Sequence, residues 1–327
     1  MPQALAARLA QVPLCADFAP AAREALARLG SVETLAPGAT LIRQGRPADA
    51  GFALLEGELD ICRRLPGGGE LALGTLVAPA LVGELGLVAE VPRTADVRAR
   101  GAASVLRWDR RLLAAACLVH DETALAFARR VVRRIAELDA ALLARLAEAA
   151  SAPPARPAPQ IAGARDRPFD HAAFLALLKP CQGMDAALRV ALVAATEVRE
   201  LAAGERVYAA GSPVDGVALV LRGALELRPA DERCAALQIL GPGAFAGLPA
   251  ALLGGSHAVS CYAREHGVLR WLAKERFDAL YLAPERLGLA LREAVAGFVA
   301  DTALVLSNRL AQQQGLRRAQ ALLARQA

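Results

Sequence analysis

A spacing of 166 residues runs through this chain. Pro37-Gly38, Gly45, Pro47, Gly57 and Leu59 reappear as Ala203-Gly204, Gly211, Pro213, Gly223 and Leu225, and even Cys15 and Cys181 keep that separation. Farther on, Val105-Leu106-Arg107-Trp108 returns as Val268-Leu269-Arg270-Trp271 at a spacing of 163. The three-residue change falls between Leu59 and Trp108. The stretch Leu65-Pro66-Gly67-Gly68-Gly69-Glu70, opposite Pro229-Ala230-Asp231-Glu232, is the place expected for it, because loops absorb changes of length. A 327-residue chain built this way is one fold present twice, and each half is long enough to bury its own core.

The two copies divide as residues 1–150 and 169–327, with a linker at 151–168 whose start reads Ala152-Pro153-Pro154-Ala155-Arg156-Pro157-Ala158-Pro159. Proline at that density blocks helix and sheet and favours an extended spacer. Within each copy a helical stretch comes first, around Ala21 to Leu29 and Ala186 to Ala194. Short apolar runs between glycine turns follow, such as Leu41-Ile42 and Phe52-Ala53-Leu54-Leu55, which read as strands of a sandwich or barrel. A long helix closes each copy, over about 121–150 in the first and after Pro284 in the second. Val131, Ile135, Leu138, Leu142 and Leu146 form one apolar stripe, and Leu291, Val295, Phe298 and Val305, with Thr302, form the other. Such stripes pack on their own barrel or pair as a short coiled coil; the pattern does not choose between them.

Composition excludes several classes. Six scattered cysteines contain no CxxC pair, and four isolated histidines contain no His-x-His, so no metal site is indicated. No nucleophile elbow or P-loop appears, and an enzyme is not expected. The net charge of +5 is spread among acidic residues, as on solvated helix faces. No run approaches a membrane helix and the N-terminus has no signal-peptide profile, so a cytoplasmic location is expected.

The segment richest in chemistry is Val82-Gly83-Glu84-Leu85-Gly86-Leu87-Val88-Ala89-Glu90-Val91-Pro92-Arg93-Thr94-Ala95, which leads into the plausible strand Asp96-Val97-Arg98-Ala99. Gly83-Glu84-Leu85-Gly86-Leu87, with Arg93-Thr94-Ala95 downstream, resembles the signature of the cyclic nucleotide-binding domain family, shared by catabolite activator proteins, protein kinase A regulatory subunits and cyclic-nucleotide-gated channels. The resemblance implies a mainly β fold with flanking α: two β-roll, jelly-roll or cupin-like domains, each followed by a long helix. It implies cyclic AMP or cyclic GMP as ligand and no metal. A planar, permanently charged guanidinium suits the phosphate diester, which assigns Arg93 to it. Backbone N–H groups of the turn opened at Gly83 suit the same anion, and Gly83 and Gly86 permit close backbone approach. Glu84 accepts from the ribose 2′-hydroxyl, Leu85 and Leu87 face the core or the pocket, and Thr94 bears on base selectivity. The residue over the base is expected from the closing helix, around Val131 to Ile135.

At the 163 spacing Glu84 falls on Gly247 and Arg93 on Ser256, so the second copy is expected to bind no ordinary cyclic nucleotide. His257 then reads as an ordinary strand residue. No helix-turn-helix and no pseudosubstrate segment is recognised beside the copies, so neither a DNA-binding domain nor a kinase-inhibitor element is expected. The expected function is a regulatory protein that reports cyclic nucleotide through helix rearrangement to a separate, unidentified protein effector. Its closing helices pair either within one chain, as a pseudo-dimer, or between chains, as a homodimer. The alternative is a ligand-independent scaffold built from two such barrels.

Overall fold

The computed structural model describes residues 2–64, 69–118, 121–149, 170–230 and 236–323. The linker expected at 151–168 lies outside them. The described chain forms two units, one of Met1–Ile135 with Ala300–Ala327, the other of Ala136–Val299.

In the first unit, α1 (Pro2–Leu9) and α2 (Pro20–Leu29) precede β1 (Gly30–Leu35), β2 (Thr40–Ile42), β3 (Ala50–Glu56), β4 (Glu58–Arg64), β5 (Glu70–Val77) and β6 (Ala80–Val82). The one-turn helix α3 (Leu85–Val88) leads to β7 (Asp96–Ala99) and β8 (Ala103–Asp109), and α4 (Arg110–Leu118) and α5 (Glu122–Ala149) follow, α5 belonging to this unit as far as Ile135. The strands form two antiparallel four-stranded sheets, ordered β1-β8-β3-β6 and β2-β7-β4-β5. The inner faces meet in a core of Ile42, Phe52, Leu54, Leu59, Val82, Val97 and Val105. Strand β3 is buried from Ala50 to Leu55, which explains its uninterrupted apolar sequence. On the other side of its sheet Trp108 is buried against Phe127 of α5 and donates its indole N–H to Leu26 O at 3.0 Å, so the ring ties α2 to β8.

The second unit repeats this order. It runs through α6 (His171–Leu175), a 3-10 turn at Lys179–Cys181, α7 (Ala186–Ala195), β9 (Glu197–Leu201), β10 (Arg206–Tyr208), β11 (Gly216–Arg222), β12 (Leu225–Arg228), β13 (Gln238–Leu240) and β14 (Phe245–Ala246). Next come α8 (Leu248–Leu253), β15 (Ser260–Ala263), β16 (Gly267–Ala273), α9 (Lys274–Leu282) and α10 (Arg286–Leu323), which belongs to this unit as far as Val299 and to the first from Ala300. Asp170 and Asp185 cap α6 and α7 by accepting from Ala173 N and Leu188 N, both at 2.9 Å. Its sheets are ordered β14-β11-β16-β9 and β10-β15-β12-β13. Two β-rolls with flanking helices are thus present, as the repeat and the family resemblance imply.

Strand register corrects the sequence alignment of the copies. Phe52 pairs with Val82 as Ala218 pairs with Ala246, Leu59 with Ala99 as Leu225 with Ala263, and Leu54 with Val105 as Val220 with Leu269. Positions before the β4–β5 turn correspond at 166, and positions after it correspond at 164 rather than 163. The length change is therefore two residues, in the β4–β5 connection where the loop was expected. The repeated Val-Leu-Arg-Trp is a false guide: Gly51 pairs with Trp108, but its counterpart Val217 pairs with Leu272. A one-residue slip turns every side chain to the opposite face. Arg107 shares the face of its register partner Phe52 and is partly exposed near Asp49, Asp109 and Glu33, whereas Arg270 is buried and donates to Thr196 Oγ1 at 2.8 Å, Thr196 O at 2.6 Å and Val193 O. Those carbonyls end α7, where the helix dipole favours a cation.

The closing helices also depart from their expected stripes. Val131 and Ile135 are buried, but Asp139 is fully buried between them and half-buried Leu142. On α10, Leu291 and Val295 are buried, while Val305 is 52% exposed and Leu306 takes the inward position. Among the described residues no helix is long and apolar enough to cross a membrane.

Candidate functional site

Gly83 ends β6 with φ +71°, a conformation that side chains with a Cβ rarely adopt. It turns the chain into α3, where Gly86 N bonds to Gly83 O and Leu87 N to Glu84 O, both at 3.0 Å. A Cβ on Gly86 would overlap the Ala50 carbonyl oxygen, so the glycine lets α3 lie directly on β3. Leu87 is buried beside Gly51, and half-buried Leu85 packs with Val88 and Ala89 around Ala48 and Val91.

The segment that returns to β7 is pinned by its backbone. Ala48 N donates to Val91 O at 2.9 Å, Arg93 N to Arg46 O at 2.8 Å and Gly45 N to Arg93 O at 2.9 Å. Arg93 is thereby aimed inward with its side chain only 8% exposed. Its Nη2 donates to Ala50 O at 2.7 Å and its Nη1 to Gly83 O at 3.2 Å, Asp49 Oδ1 lies 3.7 Å away, and the Phe52 ring lies beneath at 5.9 Å. Burial lowers the Arg93 pKa and the Asp49 charge opposes that shift, so the guanidinium stays charged. Burial likewise raises the Glu84 carboxyl above its ordinary value, and the charges of Arg134 and Arg93 act against it.

The structure therefore brings Gly83, Glu84, Leu85, Gly86 and Arg93 to one place. Ala95 is buried and Thr94 half-buried at the entry to β7. Sequence reading missed Asp49 and Arg134. Asp49 had a signal, because Asp215 follows it at the 166 spacing; exposed Arg134 on α5 had none beyond its helix. Val131 and Ile135, which bound the stretch of α5 from which a residue over the base is expected, are both fully buried.

The profile of the cyclic nucleotide-binding domain matches residues 32–120 and again 198–283. The chain belongs to the cyclic nucleotide-binding domain family. A search of the curated proteins finds no match. Among solved structures, the cAMP-bound regulatory domain of Toxoplasma gondii protein kinase A is 16% identical, over 86% of this chain and 93% of that one, with a TM-score of 0.33. The N-terminal domain of a Streptomyces coelicolor transcriptional regulator is 33% identical over 39% of this chain and 91% of its own, with a TM-score of 0.36. A cAMP-binding acyltransferase from Mycobacterium smegmatis is 26% identical over 43% of this chain and 42% of its own, at 0.35.

The second cyclic nucleotide-binding domain keeps the backbone of the site and changes its chemistry. Gly247 has φ +81°, matching Gly83, so the counterpart of Glu84 is buried Leu248 rather than Gly247. His257 N donates to Ser212 O at 3.0 Å and Gly211 N to His257 O at 2.7 Å, repeating the bonds of Arg93. The counterpart of Arg93 is therefore His257, not Ser256, which instead bridges Pro213 as Pro92 bridges Pro47. His257 is 3% exposed and stacked on Tyr208, ring centroids 3.8 Å apart and planes at 9°. Gly247 N donates to the Tyr208 hydroxyl at 3.2 Å. Both charges expected to be missing are absent from these positions, and two aromatic rings fill the space.

Proposed function

We propose that the first domain binds a cyclic nucleotide, cyclic AMP or cyclic GMP, through Gly83, Glu84, Leu85, Gly86, Arg93, Thr94 and Ala95. The buried guanidinium of Arg93, held between β3 and α3, carries this reading. Two of its five N–H donors are taken by Gly83 O and Ala50 O, which fixes the plane of the fork and leaves donors for phosphate oxygens. Glu84, one residue after Gly83, takes the ribose 2′-hydroxyl. The two domains are residues 1–150 and 169–327, and the chain acts on a separate effector by shifting the balance between two arrangements of its helices.

The second domain binds no cyclic nucleotide. Leu248 offers no acceptor to a ribose, and the Tyr208–His257 stack stands where the ligand's phosphate partner stands in the first domain. This closure favours a scaffold role for that copy. Titration calorimetry of the full chain with each nucleotide tests the proposal. One site per chain, lost in Arg93→Ala, is expected; no heat at high micromolar nucleotide from folded protein overturns it.

A further inference from the structure

The first site is overlaid by residues from the far end of the chain. The part of α10 from Ala300 onward groups with the first unit. Ala300 is fully buried and packs with Ala48 and Val91, and Leu85, Val88 and Ala89 pack on the same cluster. These residues frame the site: Ala48 leads to Asp49 and Ala50 beside the guanidinium, Val91 lies two positions before Arg93, and Leu85 to Ala89 are α3 and its cap. A second tie comes from β4, where Arg63 donates to Ser307 O at 3.4 Å and to Asn308 Oδ1.

We propose that residues 300–308 regulate the first site by clamping α3 where the Gly83 carbonyl engages Arg93, and that nucleotide binding and docking of this helical segment oppose one another. The inference rests on the ligand assignment made above. In the docked arrangement the Gly83 carbonyl, at the root of α3, occupies one arm of Arg93. A phosphate that draws Arg93 toward itself competes with that bond and shifts the turn that carries Glu84. Because α3 is a single turn, such a shift is not absorbed within it and reaches Leu85, Val88 and Ala89, the residues clustered with Ala300. Whatever loosens residues 300–308 then tightens nucleotide binding, and by thermodynamic reciprocity the nucleotide loosens them by the same factor.

Two measurements on the full chain test this. Arg63→Ala removes the bonds to Ser307 and Asn308 without entering the core, and it is expected to tighten nucleotide binding by about 3- to 10-fold in calorimetry. Amide exchange of the wild type is expected to show faster exchange across 300–308 when nucleotide is added. Ala300→Glu, which places a charge in the buried contact, is expected to act in the same direction as Arg63→Ala. Should the wild type bind nucleotide while Arg63→Ala leaves affinity unchanged and exchange at 300–308 does not move, the regulatory role is wrong and the site assignment stands. Should the wild type bind neither nucleotide, the site assignment fails and this inference with it.

Discussion

Arg93 and His257 occupy the same position in the two domains, each exchanging backbone hydrogen bonds with the turn before β3 or β11 and each acted on by the aspartate of that turn, Asp49 or Asp215. The exchange of side chain converts a permanent cation into a group that burial keeps neutral. Burial lowers the His257 pKa below its ordinary 6.5, with Asp215 opposing, and Nε2 is buried without a hydrogen-bond partner among the described residues.

A pKa depressed in the folded state means that His257 costs stability once the unfolded chain takes up the proton more readily than the folded one. Stability of the second domain is therefore expected to fall as pH drops through 6.5 and onward to the lower folded value. His257→Phe keeps a flat ring for Tyr208 and cannot be protonated. Thermal melts between about pH 5 and 7.5 are expected to flatten in this variant, with His171, whose pKa burial and Arg270 also lower, supplying the remaining slope. An unchanged acid loss in His257→Phe would count against the assignment.

Glu84 trades stability for binding. Its carboxyl is raised by burial, so its contribution to stability is full below 4.5 and is lost as pH rises through the folded value. Glu84→Gln is expected to raise the melting temperature of the ligand-free protein at neutral pH and to weaken nucleotide binding by about tenfold, the loss of one charge-assisted bond. Melting and calorimetry on the same preparation check both halves; a variant that is destabilised and binds normally would place Glu84 in the fold instead of the site.

Gly86 positions Arg93 sterically. An added Cβ would lie 2.9 Å from Arg93 Nη1 as well as against Ala50 O, both in the packed interior. Gly86→Ala is expected to destabilise by about 1–3 kcal/mol and to reduce nucleotide affinity at least tenfold. Gly101→Ala, at a turn with open space around the Cβ, is the control and is expected to leave both unchanged.

What was legible in the sequence was whatever a backbone turn demands. Gly83, Gly86 and the paired glycines had to stay glycine, so they announced both the repeat and the site. What was not legible was register. Loop length and strand slip leave no mark on local propensity, and the copied Val-Leu-Arg-Trp pointed to a spacing that the hydrogen-bond ladder contradicts. The error moved Glu84 onto Gly247 and Arg93 onto Ser256, and it hid His257. Asp139 escaped for a related reason: a charge within an apolar stripe reads as a gap in the pattern until burial is known.

Asp139 is fully buried, both carboxyl oxygens lack hydrogen-bond partners among the described residues, and burial raises its pKa to about 8. Its contribution to stability is full below the ordinary value of 3.8 and disappears as pH climbs to about 8. Asp139→Asn, which cannot ionise, is expected to be more stable than the wild type at pH 8 and above, on the order of a few kcal/mol, with the difference shrinking toward acid. Denaturant midpoints across this range check it, and a constant difference at every pH would show that Asp139 is not titrating in place.

Arg107 and Arg270 make the register finding testable. The sequence repeat treats them as equivalent, but one is 28% exposed among three carboxylates and the other is buried with no ion-pair partner among its described contacts. Arg107→Met gives up solvent-screened pairs and is expected to change stability by less than about 1 kcal/mol. Arg270→Met takes the guanidinium away from Thr196 O, Thr196 Oγ1 and Val193 O at the end of α7; Val193 O keeps Thr196 N as a donor, whereas an acceptor left shielded and without a partner costs about 1–3 kcal/mol. The methionine side chain can still pack among Met184, Phe245 and Phe277, which line the same cavity, so lost volume is not the cause of the difference. Urea unfolding of the two variants side by side decides between the alignments. Equal, small effects would restore the 163 spacing and with it the equivalence of Arg93 and Ser256; a large loss confined to Arg270→Met supports the slipped strand and the place of His257.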